Sequence, residues 1–526
     1  MGAAPLRRPE LVEFRGVEGI FRAGGGFILN FAPSRRRSEA LAREKLREER
    51  EFSARVACSS RLMRQQIPGA SGTQKVRRGR LGGKRAPGHE WQKKQKRVRR
   101  ADARRLRQGP DDSSLSGVGG LIAFNAFLQE EGIGRELRRR FARLKQGHRV
   151  VYPMHTQLQL LIDAAAAGAQ RVFDLECLAP DPIFEHLAGG AVPSIDTVYK
   201  DLARFDKDAI EALEALVAEQ GLRPVASAQL DAVTVDIDTT VMPLFGCQEG
   251  ARLGPNPRYH GRPSYHPILA RVAEFDTILG ARLRPGDTSM GDSDVEDVTC
   301  WIDRLREVVG PNTVITVRVD AGADCSSWFE ALDGRGVHFI VKARQTAELL
   351  GAATFHEDWA IVDRDADGQP TRRVAVLDFR REDWPPGRFR VIAVRTTERY
   401  SGRQTQLWEG VDDSVQFFVT NDLHSDPNDI ALRYDARAAI EGTIRELKEH
   451  FAIGSVPTGR FDANEAAFLI KVLAFNLLRR WVLACCPEVS PWRASWVRRL
   501  LICIPARLLR AQGRFQLRLA PRRLLN

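Results

Sequence analysis

The apolar run Val-Thr-Val-Asp-Ile-Asp-Thr-Thr holds Asp236 and Asp238 two residues apart. Alternation along a strand puts both carboxylates on one face, opposite Val235, Ile237 and Thr239. Taken alone, the pair reads equally well as the wet side of a half-buried strand. Asp320 closes a second β-branched run, Val-Ile-Thr-Val-Arg-Val-Asp, and is followed by Ala321 and Gly322. Ligands of parallel sheets collect beyond the carboxyl ends of strands, which is where this acid falls, although a turn-forming aspartate is the plainer reading. A third acid, Glu441, lies in a helical stretch with Tyr434, Arg437 and Lys448. At about 100° per residue these four side chains fall within an arc of roughly 60°, and Arg445 extends the stripe. A salt-bridged surface helix explains Glu446 and Glu449, but not a phenol in line with a charged row. A phosphate site explains the row better, because guanidinium and ammonium groups can both contact phosphate oxygens while Glu441 between them is free to bind a metal.

The elements that must position these groups follow from periodicity. Residues 112 to about 222 read as helical, and the last, Ser194-capped stretch of them begins with a segment from Ser194 to Phe205. That segment has the form of a recognition helix offering Thr197, Lys200 and Arg204 to DNA, but a short amphipathic helix that merely packs has the same form. From residue 231 the pattern changes to three successive strands, then a helix over residues 294–309, then the strand ending at Asp320. Five further strand-like runs, within residues 336–422, are separated by Pro, Gly and Asp clusters. Helical periodicity returns over 429–451 and again over 464–484, before an Arg- and Leu-rich tail with the pattern of a small hairpin. The apolar stretch 466–486 contains Lys471, Arg479 and Arg480, which burden a bilayer span by roughly 2.5–3.5 kcal/mol each, so it reads as a buried helix.

Charge is unevenly distributed. The formal net charge is +13, but residues 1–110 carry 29 Lys and Arg against 10 Asp and Glu, a balance of +19, leaving −6 for the rest. A segment so basic suits a polyanion, because neutralising phosphates releases counterions. Its Gly, Arg and Gln content equally fits a solvated leader, or one that is not authentic coding sequence. The eight cysteines show neither zinc-ligand nor disulfide-framework spacing, and the start has no secretory signal. A reducing cytoplasm with no membrane partner is the expectation.

The spacing Tyr434-x2-Arg437-x3-Glu441-x6-Lys448 resembles the signature of bacterial insertion-sequence transposases with an RNase H-like DDE core. Similar in the same way are Asp-Ile-Asp-Thr-Thr-Val at 236–241, Phe-Gly-Cys-Gln-Glu-Gly-Ala at 245–251, Tyr-His-Gly-Arg-Pro-Ser-Tyr-His-Pro-Ile-Leu at 259–269, Leu-Gly-Ala-Arg-Leu-Arg-Pro-Gly-Asp at 279–287, Val-Arg-Val-Asp-Ala-Gly-Ala-Asp at 317–324 and the 464–478 segment. The resemblance covers residues 112–526 and stops short of the basic leader.

It implies Asp238, Asp320 and Glu441 as catalytic, metal-holding acids, with Asp236 the competitor of Asp238, and Tyr434, Arg437 and Lys448 at the DNA phosphates. Many members carry a longer Gly-Phe motif after the second acid, where this chain has Ala321-Gly322-Ala323-Asp324. Three carboxylates with no His or Cys ligand suit hard ions, Mg²⁺ with Mn²⁺ as a substitute. A pair of such ions would cut a strand at the element end and then join the freed 3′-OH to target DNA.

The expected fold is α/β: an RNase H-like mixed-sheet core with a β-strand insertion, a helical N-terminal domain and a basic, disordered leader. The expected division is a leader over 1–111, a helical DNA-binding domain over 112–225, core over 226–345 and 425–484, insertion over 346–424, and an extension over 485–526. In the insertion Trp359, Trp384 or Trp408 could stack on an extruded base, though each is more simply a core or hairpin residue. DNA is the expected partner, with a homodimer assembled on it, in the cytoplasm and at the nucleoid. Competing readings are a structure-selective nuclease, a decayed DNA-binding remnant and, discounted because it ignores the basic helix face, a glycosidase using Asp236 and Asp238.

Overall fold

The computed structural model describes residues 112–520 apart from 255, 257–259, 401–409 and 512–513. The basic leader, and the strand expected around Trp408, lie outside the described residues.

Helices come first: α1 (Leu121–Glu130), α2 (Ile133–Phe141), α3 (Met154–Ala167), α4 (Ile195–Leu202) and α5 (Lys207–Ala228). Ser194 and Asp206 cap α4 and α5 by accepting from backbone N–H groups of the first turn. Their apolar faces share one core with the C-terminal helices, built on residues such as Phe124, Leu158, Leu213, Leu473 and Phe475.

A nine-stranded mixed sheet follows, made of β1 (Ala232–Thr239), β2 (Ile268–Val272), β3 (Thr277–Arg282), β4 (Val314–Val319), β5 (His338–Lys342), β6 (Ala360–Arg364), β7 (Pro370–Leu377), β8 (Arg390–Tyr400) and β9 (Gly410–Thr420). The spatial order is β3-β2-β1-β4-β5-β9-β8-β7-β6. Strands β1, β4 and β5 run parallel, and all the other pairings are antiparallel. The first five strands are the expected RNase H-like arrangement. The inserted strands do not form a sheet of their own: β9 pairs with β5 through Phe418–Thr420, so the insertion continues the core sheet outward. A helix over Ala347–Phe355, capped by Thr346, precedes β6 in what the sequence pattern reads as a strand-rich region.

On one face of β1, Val233, Val235 and Ile237 pack against α6 (Val295–Val309) and α7 (Ser326–Asp333), through Trp301, Leu305, Trp328 and Phe329. The other face turns Asp236 and Asp238 toward the segment that carries the signature. That segment is not one helix. It breaks into α8 (Pro427–Asp435), a tight 3₁₀ turn at Ala436–Ala438, and α9 (Ala439–His450). The angles read from one continuous helix therefore hold from Glu441 to Lys448 but not across Arg437 and Tyr434.

The final long helix, α10 (Phe461–Cys485), is buried along most of its length. Gly221 of α5 lies where α5 meets β3, since a β-carbon there would stand 2.1 Å from the Ile278 carbonyl oxygen. Asn476 of α10 closes the same junction, donating to Val217 O and Ile278 O and accepting from Ile278 N. The three cations of the apolar stretch all have partners. Lys471 donates to Ala452 O at 2.7 Å and Ser455 O at 3.2 Å, Arg479 to Ser490 O at 2.6 Å, and Arg480 pairs with Glu131 and Gln220. No described helix is long and apolar enough to cross a membrane. The tail forms the hairpin Ala506–Ala511 and Arg514–Leu519, which pairs with Leu115–Ser116.

Candidate active site

The two aspartates of β1 have different surroundings. Asp236 is fully buried, and its cross-strand neighbours are arginines: Arg271 on β2 and Arg318 on β4. Arg318 donates to it at 2.6 and 3.0 Å and Arg271 at 2.9 Å. Arg271 also bonds Asp276 at 2.6 Å, and Arg318 reaches the Arg433 carbonyl of α8 at 2.5 Å. Each carboxylate oxygen of Asp236 is thereby engaged in an ion-paired web joining three strands to α8. The face is not a wet one, and Asp236 is occupied as a structural anion.

Asp238 stands one pleat further along, where β1 runs out, and its side chain keeps 15% of its surface exposed. One carboxylate oxygen accepts from Thr239 N at 2.9 Å and lies 3.1 Å from Arg437. Burial raises its pKa, the Arg437 guanidinium opposes that rise, and the charge of Asp320 adds to it. Asp320 follows the end of β4, the parallel neighbour of β1, so the two acids share the carboxyl ends of adjacent strands. Its own carboxylate accepts from Gly322 N at 2.9 Å.

The unusual residues after Asp320 have a mechanical use. Asp324 is buried and accepts from Arg344 N and from Arg381 of the insertion, both at 2.8 Å. The Arg344 guanidinium donates to Ala321 O and Gly322 O of the same turn. Gly322 has no room for a side chain, since a β-carbon there would lie 2.7 Å from Met290 Cβ and 3.0 Å from the Asp320 carboxylate.

The signature residues are placed as follows. Arg437, in the 3₁₀ turn, is buried and donates to Ile237 O at 2.9 Å beside its pairing with Asp238, so it faces the strand end rather than solvent. Tyr434 packs its ring on Phe418, centroids 4.5 Å apart, and is buried. Burial and the charges of Asp320 and Asp238 push its phenol up to about 12, against the opposing pull of Arg437. Lys448 donates to Val241 O at 3.0 Å and lines the cleft holding both aspartates. Glu441 is exposed in the first turn of α9, two helical turns before Lys448 and on the same face. Among the described residues no three His, Cys, Asp or Glu side chains stand close enough together to hold one ion. The structure thus brings Asp238, Asp320, Arg437 and Tyr434 together, while Glu441 is exposed and not among the residues lining the cleft.

The cleft measures about 680 Å³, and its wall includes His266, which lies within the 259–269 segment but to which the sequence assigns no chemical role. His266 donates from Nδ1 to Thr288 O at 2.6 Å, and burial and Arg284 lower its pKa. Its only signal in sequence is its place in the Tyr-His-Pro-Ile-Leu run. The far wall, within residues 452–455, is the loop held from below by Lys471.

With two acids at adjacent parallel strand ends and a signature segment packed across them, the sequence from residue 98 to residue 523 matches the family model described as transposase DDE domain group 1. The chain belongs to this family. The match begins before residue 112, so the family's sequence extends into the end of the basic segment. Enzymes of this DDE family act on DNA and use divalent metal ions. Among solved structures, this DDE transposase is similar to a piggyBac transposase in a cryo-EM synaptic complex with hairpin DNA. That likeness has 12% identity and a TM-score of 0.37, over 73% of this chain and 79% of that one. No curated protein sequence matches.

The two described tryptophans of the insertion, Trp359 and Trp384, are not free platforms. Trp384 is buried among Phe329, Phe379 and Phe389, and Trp359 lies under the Arg395 guanidinium with its indole N–H donating to His356 O. In the segment read as a recognition helix, Thr197 bonds Ser194 and Arg204 pairs with Asp201, while Lys200 is exposed.

Proposed function

We propose that this chain is the transposase of an insertion sequence, cutting DNA at the element ends and joining the freed 3′-OH ends to target DNA. The observation that carries the reading is the pairing of Asp238 and Asp320 at adjacent parallel strand ends, in one cleft with Lys448. Asp238, Asp320 and Glu441 are the proposed acids, and their oxygen-only donor set fits Mg²⁺, or Mn²⁺ in its place. The fit rests on Asp238 and Asp320, since the charge of Asp320 adds to the cost of ionising Asp238, a cost that a bound cation would remove. Glu441 completes the set because it is an exposed carboxylate on the same face of α9 as the cleft-lining Lys448.

A divalent pair held there would activate the attacking water or 3′-OH and stabilise the leaving oxygen of an in-line displacement. The protein's own groups do the rest. Arg437 fixes the Asp238 carboxylate and the end of β1, so its proposed part is to orient the acid more than to grip phosphate. Lys448 presents a point charge to a phosphate entering the cleft. Tyr434, kept protonated, has a hydroxyl able to donate to the same phosphate. The exposed Lys200 of α4 and the basic leader are proposed to add sequence-independent affinity for DNA, on which the protein assembles as a homodimer.

The test is strand cleavage and joining with Mg²⁺ on DNA carrying the sequences that flank the gene, comparing the intact protein with Glu441→Ala. Cutting and joining by the intact protein alone upholds the reading. Activity that survives Glu441→Ala removes Glu441 from the site, and cleavage without joining makes the protein a nuclease.

A further inference from the structure

The catalytic cleft adjoins a second groove of about 520 Å³, and the two share Pro243, Ala452, Gly454 and Ser455 as a common wall. This neighbour differs in character. Its lining includes Phe245, with 82% of its surface exposed, Phe173, with 56% exposed, and Tyr199 of α4. Among the described residues Arg171 is its one charged wall residue, and the Arg262 guanidinium lies over the Phe245 ring, 4.5 Å from the centroid. No carboxylate stands in its described wall.

Large exposed phenyl rings cost solvation and are usually packed away, so rings left open beside a catalytic cleft point to an occupant with flat apolar faces. The absence of acids from the described wall and the flanking arginines ask that the same occupant be anionic. Unpaired nucleotides meet both demands: bases stack on aromatic rings, and the backbone lies along cationic side chains. Duplex DNA meets only the second, because its base faces are covered by neighbouring bases.

We propose that this groove seats unpaired nucleotides of the DNA strand that enters the catalytic cleft, with Phe245 and Phe173 stacking on the bases and Arg171 and Arg262 meeting the phosphates. The proposal rests on the transposase reading for why a strand enters the cleft. Because the two cavities share a wall, a strand crossing it would place in the groove the nucleotides near the bond being broken. That wall includes the loop held by Lys471 through Ala452 O and Ser455 O.

The experiment uses the full chain, without metal, and single-stranded oligonucleotides bearing 5-iodouracil at successive positions. Irradiation should crosslink the base to Phe245, Phe173 or Tyr199. Phe245→Ala should abolish the Phe245 adduct and weaken single-strand binding by roughly 5- to 100-fold, as loss of one stacking platform implies. Phe245→Trp should restore binding, and duplex affinity should change little in either variant. The exposed position of Phe245 keeps folding out of the result. Adducts confined to other surfaces, or Phe245→Ala binding single strands as well as the parent does, would overturn the proposal. Loss of cutting in Glu441→Ala with no adduct in the groove sinks this inference alone. Equal cutting by Glu441→Ala with the adduct present sinks the Glu441 assignment alone.

Discussion

Changing Asp236 to asparagine and, separately, Asp238 to asparagine should cost very different amounts of stability, although the two residues share one strand face. Asp236 receives three hydrogen bonds from Arg271 and Arg318 at 2.6–3.0 Å and is fully buried. With Asp276 it balances those two guanidinium groups, so its neutralisation leaves one buried positive charge uncompensated. Breaking a buried pair from one side costs about 3–5 kcal/mol. For a cooperative unit of 150–250 residues that corresponds to a fall in Tm of roughly 6–20 °C. Asp238 is the reverse case. Its folded-state pKa is raised, chiefly by burial, so its ionisation costs stability, and that cost sets in as pH climbs from the unfolded value of 3.8 through the raised folded one. Asp238→Asn removes that cost but also takes from the buried Arg437 its 3.1 Å partner, leaving Asp320 as a nearby charge, so Tm at pH 7 should fall much less than in Asp236→Asn, while metal-dependent cleavage is abolished. Thermal unfolding of both variants, followed by circular dichroism, reads the contrast directly. Comparable large losses of Tm in both variants, or a harmless Asp236→Asn, would refute the division of labour between the two acids.

Other outcomes follow from the same geometry. Gly322→Ala should cut cleavage far more than stability, since its β-carbon collides with Met290 and the Asp320 carboxylate; overpacking of this kind costs about 1–3 kcal/mol, and a denaturant midpoint measured beside the cleavage rate separates the two effects. Lys448→Ala should lower the slope of log affinity against log salt by about 0.9 if its ammonium neutralises one phosphate, as a salt titration of DNA binding would detect. Glu465, buried and accepting from Leu283 N, is raised to about 8 by burial and then by Glu214. Its carboxyl therefore withdraws stability as pH rises from 4.5 through 8, and Glu465→Gln should flatten that part of a Tm-versus-pH profile.

The strands of the core, and the place of Asp238 and Asp320 at strand ends, are legible because period-two patterns and turn residues are local signals. The choice between Asp236 and Asp238 is not, since alternation puts both on one face. What separates them is register, which sets Arg271 and Arg318 opposite Asp236 alone. The break at Ala436–Ala438 is equally silent, because Ala-Arg-Ala-Ala-Ile-Glu consists largely of good helix formers and only packing against β1 tightens the turn. Charge in the signature row suggested a common duty toward phosphate, yet Arg437 turns inward to Asp238 while Glu441 stays outside, a difference set by that break. The exposure of Phe173 and Phe245 leaves no signal in sequence, since it depends on loops that no local pattern describes.

The way the insertion is attached governs what happens when it is cut away. Phe418, Val419 and Thr420 cover the outer edge of β5, and Arg381 holds the turn that follows Asp320. A shortened chain lacking residues 346–424 would keep every proposed catalytic acid but expose a bare strand edge flanked by Phe339, Ile340 and Val341, a template for pairing between copies. Such a chain would be expected to clump before it could be assayed, so the reach of this enzyme is better trimmed from the free β6 margin, where Ala360–Arg364 already face solvent, than from the seam with the core.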